Sequence, residues 1–205
     1  MKKELDFIRI DGTYYGGDQN WHTHKMMKLG GCSAVCACET CIWLAKRFGE
    51  YRALYPFDIA DVCKKDFLRF FEIMFQYLHP GIGGLTSIDK FERMLGKYIM
   101  TTGTKMGMQK VYGRESYETA KKFFISSIDN GIPVMFLMLK HADPAFDEYE
   151  WHWFNLTGYE ITVEGRLNAI FATWGSRHVF DFQRAWETGR YWKGGMVAFV
   201  RPEYA

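Results

Sequence analysis

The pattern of apolar and polar positions divides the chain into a helical first part and a strand-rich second part. Residues Cys32 to Ala45 are apolar on nearly every side, which predicts a buried helix closed by Lys46, Arg47 and Gly49. Three further helices are predicted: one over residues 61–78, one over 88–98 after the capping pair Thr86 and Asp89, and one from Ser116 to Asn130-Gly131 with Ala120, Phe124 and Ile128 on one stripe.

Five strands are predicted after residue 131. They are a buried strand at 133–140, an alternating strand at 151–160, and short strands at 168–174, 178–182 and 195–200. The first 30 residues and residues 101–114 show no period and are predicted to be irregular. Helices followed by antiparallel strands indicate an α+β fold. We expect one domain over residues 1–205, with a helical lobe at about 1–131 and a β lobe at about 132–205.

Composition and charge exclude several classes of protein. The 205 residues are 48% apolar and 24% charged, which excludes a disordered chain. The net charge is +2 without a run of like charges, which disfavours nucleic acid or a membrane surface as partner. The N-terminus is charged where a signal peptide needs apolar residues, and the longest apolar run, Ile132 to Leu139, is far below the ~20 residues of a membrane helix. We therefore expect a cytoplasmic protein with five reduced cysteines.

Cys32 and His152 are the candidates for nucleophilic chemistry. Cys32 follows two glycines and opens the predicted buried helix, where the helix dipole and free N–H groups favour a thiolate, and Gly31 would let a substrate approach the backbone. The alternative is a small buried hydrophobic residue. His152 begins the alternating strand between two tryptophans. It is either a core histidine or the general base that Cys–His catalysis requires.

Five segments in this order suggest a family. Gln19, then GGCSAVCACE, IPVMFLMLK, HWFNLTGYE and IFATWG together resemble the papain-like cysteine peptidases. The similarity is to the bacterial branch that contains the bacteriocin-processing, double-glycine-leader peptidases, and it covers most of the chain. It implies a papain-like fold, with Cys32 on the central helix of the helical lobe and His152 in the β lobe.

The resemblance also implies roles for individual residues. Cys32 would be the nucleophile, His152 the base, and Gln19 a donor to the oxyanion beside the backbone N–H of Cys32. Preorganised N–H donors next to the nucleophile are what a tetrahedral oxyanion needs. Gln19 lies 13 residues before Cys32, a longer gap than in papain, and Asn20 is a nearby substitute.

One position departs from the family pattern. The strand after the histidine normally supplies an Asn or Asp that orients the imidazole, and Ala172 stands at that position here. Alanine cannot accept a hydrogen bond, so the orienting group is replaced, water-mediated or absent. The candidates on or near this strand are Thr173, Asn168 and the more remote Asp181. Trp174, at the place of the family's Trp-Gly, is expected to pack over the pair at the substrate site.

A metal site is the competing interpretation of the cysteines. Zinc or an iron–sulfur cluster needs four converging ligands, whereas a helix at about 100° per residue scatters its cysteines around the axis. The potential ligands are Cys32, Cys36, Cys38 and Cys41, with His22 and His24 upstream. We therefore expect no metal and no cofactor.

Glu148 and Glu150 lie shortly before His152 in the sequence. They form either an acidic lip that selects a basic substrate or a solvated loop.

These observations predict a thiol hydrolase that acts on a peptide or amide through an acyl-enzyme. If an amine rather than water completes the cycle, the protein is an acyltransferase. Because Ala172 breaks the family pattern, a papain-like binding protein without catalysis stays open, and a metal-binding protein is less favoured.

Overall fold

The structure is a computed structural model that describes residues 1–81 and 83–200. It is mixed α+β with a large antiparallel sheet, as the sequence predicts. The helices are α1 (Lys25–Gly30), α2 (Cys32–Arg47), α3 (Lys64–Tyr77), α4 (Ile88–Thr101), α5 (Tyr117–Asp129) and α6 (Phe182–Trp186), and 3₁₀ turns cover Gln19–Trp21, Gly49–Leu54 and Pro144–Tyr149. The strands are β1 (Lys2–Glu4), β2 (Arg9–Ile10), β3 (Tyr14–Tyr15), β4 (Gly107–Tyr112), β5 (Val134–Met138), β6 (His152–Ile161), β7 (Leu167–Thr173), β8 (Ser176–Asp181) and β9 (Gly194–Val200).

Strand β6 lies inside the main sheet, whose order is β4-β9-β5-β6-β7-β8. All neighbouring strands are antiparallel. Strand β5 pairs with the first half of β6, and β1 pairs with residues 158–160 on β6. The first eight residues of β6 are buried, so the alternation in its sequence does not separate a solvent-exposed face from a buried face. His152 thus begins the strand that is held on both edges.

Helix α2 is the buried helix that the apolar run predicts. Its residues Cys32 to Ala45 are all buried, and the helix continues to Arg47. It packs against β6 on one side and α3 on the other. Glu39 is the only charged residue among the buried positions of α2. A carboxyl group inside such a helix must find hydrogen-bond partners, because burial without them is costly.

The remaining helices agree with the prediction in kind and differ at their ends. Helix α3 begins at Lys64 rather than at residue 61. The predicted cap of α4 is wrong by one residue: Ser87 rather than Thr86 is the N-cap, and its Oγ accepts the N–H of Lys90 at 3.3 Å. Ser116 caps α5 as predicted.

The segments predicted to be irregular contain regular elements, so that prediction is wrong. Residues 101–114 include β4, an edge strand whose partner β9 is about 90 residues away in sequence. The first 30 residues include β1, the β2–β3 hairpin and α1. These elements are short or lie at an edge, where long-range pairing rather than a local pattern determines the structure. Two strands from the predicted helical lobe, β1 and β4, therefore complete the sheet.

Aromatic packing fixes the start of β6 against the helices. The Trp153 ring stacks on Phe91 of α4, with centroids 4.1 Å apart, and its Nε1 donates to the carbonyl of Leu85 at 2.6 Å. This contact fixes the strand immediately after His152. None of the helices in the described residues is long and apolar enough to cross a bilayer.

Candidate active site

Cys32 and His152 lie on the same cleft. Cys32 is the first residue of α2, and His152 is the first residue of β6. The contact between α2 and β6 brings these two ends together, although 120 residues separate them in sequence. The cleft measures about 610 Å³, and its lining includes Gln19, Leu29, Cys32, Trp151, His152 and Trp174.

The glycine pair before Cys32 has a packing role. A Cβ at Gly31 would lie 2.3 Å from the carbonyl oxygen of Met27 and 2.5 Å from the Phe71 ring. Only glycine therefore fits at this position, where α1 ends and α2 begins. Both glycines are buried, and Gly30 rather than Gly31 belongs to the lining of the cleft.

The electrostatics of the pair differ from the expectation of a stabilised thiolate. Burial raises the pKa of the Cys32 thiol, and hydrogen bonding to the backbone of Trp153 opposes this only in part. Burial lowers the pKa of His152 to about 4. Both shifts favour the uncharged forms, so the resting pair is a thiol and a neutral imidazole. No hydrogen bond joins the Cys32 thiol to the His152 ring in the described part of the chain.

Thr173 is the candidate orienting residue that contacts His152. Its Oγ1 lies 2.7 Å from His152 Nε2, and both side chains are buried. Ala172 is paired with Asn155 in the sheet. Asn168 and Asp181 face each other across β7 and β8 at the other end of these strands. Of the residues that the sequence offered for this position, the hydroxyl of Thr173 is the one within reach.

Two tryptophans with strained backbones flank the His152–Thr173 pair. Trp151 has φ +57° and Trp174 has φ +49°, both in the left-handed region that side chains rarely adopt. Trp174 stacks on the His152 ring at a centroid distance of 4.8 Å, as the sequence predicts. Such strain costs about 1–3 kcal/mol per residue and is found mostly at functional sites.

Gln19 lines the cleft near Cys32 but is already engaged. Its Nε2 donates to the carbonyl of Lys28 in α1. A side-chain amide carries two hydrogens, so one donor is left for another acceptor. Asn20 is less suited to this role, because it is exposed and does not line the cleft; its Nδ2 donates to Asp18 at 2.9 Å.

A buried polar network beneath Cys32 was missed by sequence reasoning. Glu39 lies two turns along α2 from Cys32, on the same face of the helix. Its Oε1 accepts the backbone N–H of Gly17 at 2.6 Å, and its Oε2 accepts Asn155 Nδ2 at 2.7 Å. Asn155 Oδ1 in turn accepts the hydroxyl of Thr40 at 2.8 Å. The available signal was a carboxyl and a hydroxyl side by side, Glu39 and Thr40, in a helix that is largely apolar.

A second, much smaller cavity lies between this network and the candidate pair. It measures about 10 Å³ and is lined by Cys32, His152 and Glu39, with Ala172 and Thr173 beside them. A space of about this size is what one water molecule requires. Glu39 therefore lines the same small space as Cys32 and His152.

The residues considered for metal binding do not form a site. Cys36, Cys38 and Cys41 are buried along the continuous helix α2. Within residues 1–81 and 83–200, no group of three or more His, Cys, Asp or Glu side chains is arranged to hold a metal ion. His22 instead pairs with Glu72, at 3.0 Å between Nε2 and Oε1.

The predicted acidic lip is largely neutralised. Glu150 lines the cleft, but its Oε2 accepts from Lys140 Nζ and its Oε1 accepts the N–H of His141 at 2.8 Å. With both oxygens engaged, Glu150 holds the segment before His152 in place. Glu148 is exposed and is not part of the cleft lining.

No family model matches this chain, and no curated protein matches it. The resemblance to papain-like peptidases therefore rests on sequence segments alone.

Proposed function

We propose that this protein is a papain-like thiol hydrolase that cleaves a peptide or amide bond through an acyl-enzyme on Cys32. The observation that carries the proposal is the meeting of Cys32, at the start of α2, with His152, at the start of β6, on one cleft. The contact of His152 with Thr173 and the stacking of Trp174 support it, because both restrict the orientation of the imidazole.

The chemistry begins from an uncharged pair. With Nε2–H donating to Thr173, Nδ1 is the ring atom that accepts a proton. As the Cys32 sulfur attacks the carbonyl carbon, its proton passes to Nδ1 and the carbonyl electrons move to the oxygen. The imidazolium then protonates the leaving amine as the C–N bond breaks, which leaves a thioester. Water, deprotonated by His152, attacks the thioester, and the acid and the thiol are released.

We assign two groups as donors to the oxyanion. The N–H groups in the first turn of α2, including that of Cys32, have no partner within the helix. Gln19 Nε2 keeps one hydrogen that Lys28 does not use. Donors of this kind act in a site that excludes water, where each is worth about 100- to 1,000-fold in rate.

The test uses a small acyl donor, because it does not depend on peptide specificity. We expect p-nitrophenyl acetate to release a burst of one nitrophenol per chain, with the acetyl group mapped to Cys32 by peptide mass spectrometry. Cys32→Ala abolishes the burst, whereas Cys63→Ala, which removes the partly exposed thiol of the chain, keeps it. His152→Gln slows the burst by at least about 100-fold, the usual contribution of a general base. Acetylation of Cys63 instead, or an unchanged rate in His152→Gln, contradicts the proposal.

Adding an amine to the same assay separates hydrolysis from acyl transfer. In a hydrolase, water releases the acetyl group and a primary amine such as glycine methyl ester has little effect on the turnover rate. In an acyltransferase, the amine accelerates turnover and the acetylated amine is the product.

A papain-like binding protein without catalysis is the second candidate. It is favoured by two observations: the Cys32 thiol and the His152 ring are not hydrogen-bonded, and Ala172 stands at the position of the usual orienting residue. In unliganded sites such catalytic bonds are commonly long and tighten only when substrate binds. The absence of any burst in the acetylation assay would favour this candidate.

A further inference from the structure

The Glu39 carboxyl connects three parts of the candidate site. It belongs to α2, which carries Cys32, and it accepts the Gly17 N–H from the loop that carries Gln19. The carbonyl of Gly17 accepts the N–H of Gly175 at 2.8 Å, at the turn that follows Thr173 and Trp174. One carboxyl group thus links the nucleophile's helix to the loop of the oxyanion donor and, through that loop, to the turn beside His152.

The loop at Gly16 and Gly17 packs tightly against the Glu39 carboxyl. A Cβ at Gly16 would lie 2.4 Å from Glu39 Oε1 and 3.3 Å from the Ala172 Cβ, and the φ of +80° also requires glycine. A Cβ at Gly17 would lie 2.1 Å from the Phe67 ring. The position of the Glu39 carboxyl therefore determines where the loop lies. Gly16 and Glu39 also occupy the space beside Ala172, so a larger side chain on β7 does not fit there.

Several titratable groups lie near Glu39. Asp18 on the loop and the thiols of Cys36 and Cys38 on α2 interact with its charge, and Cys32 and His152 line the same small cavity. Among the described residues, no Lys or Arg lines the small cavity. Burial raises the pKa of Glu39 to about 8, and the bonds from Asn155 and Gly17 oppose this shift. Glu39 is therefore mostly protonated at neutral pH and ionises in mildly alkaline solution.

We propose that Glu39 is a positioning residue of this site, whose carboxylate form holds the Gln19 loop against α2 and stabilises the imidazolium of His152 during acylation. The inference rests on the proposed function. In this proposal Glu39 on α2 supplies the negative charge near His152, because β7 carries Ala172 at the position where the family has its orienting residue. Loss of the Glu39 proton to solvent should accelerate acylation, since the carboxylate is a better acceptor for Gly17 and Asn155 and attracts the imidazolium.

The test is the ratio of acylation rates of the wild type and Glu39→Gln from about pH 6 to about pH 10, a range that brackets the ionisation. Taking the ratio cancels the ionisation of Cys32, which both proteins share. We expect the ratio to rise about tenfold through pH 8. A ratio that does not change with pH means that Glu39 is only structural and overturns the inference. Thr40→Val is the matched control, because it removes a neutral bond to the same Asn155 and should give a constant ratio.

A second measurement in the wild type covers the case in which Glu39→Gln does not fold. The amide resonance of Gly17 reports its bond to Glu39 directly by NMR. We expect this resonance and the acylation rate to titrate with the same midpoint, and different midpoints overturn the inference. If the wild type forms no acyl-enzyme, the proposed function itself fails. If it forms one with a constant ratio or unequal midpoints, only the role of Glu39 fails.

Discussion

His152 and Thr173 meet across the neighbouring strands β6 and β7, with Nε2 2.7 Å from Oγ1. The hydroxyl of Thr173 is thus the group that contacts the imidazole from the neighbouring strand. The contact restricts the orientation of the ring, and in the tautomer in which Nε2–H donates to Thr173 it leaves Nδ1 free to accept a proton. Trp174, stacked on the ring, closes one of its faces.

Replacing Thr173 tests this contact. Thr173→Val keeps the shape of the side chain and removes the hydroxyl. We expect a roughly two- to tenfold slower acetylation of Cys32, which corresponds to one neutral hydrogen bond of about 0.5–1.5 kcal/mol. Thr173→Ser restores the hydroxyl and should recover most of the rate. Equal rates in the valine variant and the wild type would mean that the bond does not orient His152.

The alkylation profile of Cys32 tests the charge state of the pair. Because burial raises the pKa of Cys32 and lowers that of His152, iodoacetamide should react slowly with Cys32 at about pH 6 and faster as the pH increases. Cys63 is the internal comparison, since it is partly exposed. Rapid alkylation of Cys32 at about pH 6 that is lost in His152→Gln would instead reveal a thiolate–imidazolium pair.

The stability of the protein should depend on the ionisation of Glu39. Its pKa is about 8 in the folded protein, against 4.5 for an unperturbed glutamate side chain, so the folded state holds more protons than the unfolded state between these values. The free energy of unfolding should therefore fall as the pH rises from about 4.5 to about 8, by roughly 4 kcal/mol from this group. His152 has the opposite sign between about 4 and 6.5, because its pKa is lowered.

Comparing variants by urea unfolding separates these two groups. The wild type should lose stability between about pH 6.5 and pH 8 relative to Glu39→Gln, since His152 contributes little in that window. A stability difference between the two proteins that stays constant over this window would contradict the raised pKa of Glu39.

Adding a methyl group at Gly31 tests the junction of α1 and α2. Gly31→Ala places a Cβ 2.3 Å from the Met27 carbonyl oxygen. We therefore expect the free energy of unfolding to fall by about 1–3 kcal/mol. Gly96→Ala is the control, because a Cβ at that position in α4 meets nothing within 4 Å and should stabilise the helix by up to about 1 kcal/mol. Similar stability changes in the two variants would contradict this account of Gly31.

Local sequence patterns predict the elements that contain a long apolar run, a one-sided apolar stripe or a regular alternation of apolar and polar residues. Helix α2 and the strands β5 and β6 are predictable for this reason, and so is α5 with its Ser116 cap. Strands β1 and β4 are not, because they are short or at an edge and depend on partners far away in sequence. The pattern of β6 is also misleading, since both of its faces are buried.

The residues of the candidate site also differ in how far local sequence patterns identify them. Cys32 and His152 are identifiable because each begins an element with a recognisable pattern. The contacts of Glu39 join α2, the loop at Gly17 and β6, and no local pattern contains that juxtaposition. The direction of the pKa shifts at Cys32 and His152 depends on burial, a property of the tertiary structure. The helix terminus alone suggests the opposite direction for the thiol.

The most direct test of the central claim is the mass of the protein after brief mixing with p-nitrophenyl acetate. The account predicts one added acetyl group per chain, located on Cys32, which then leaves as the thioester hydrolyses. It also predicts that His152→Gln gains this group far more slowly. Acetylation spread over the other thiols, or the same rate in His152→Gln as in the wild type, would contradict a Cys32–His152 nucleophilic pair.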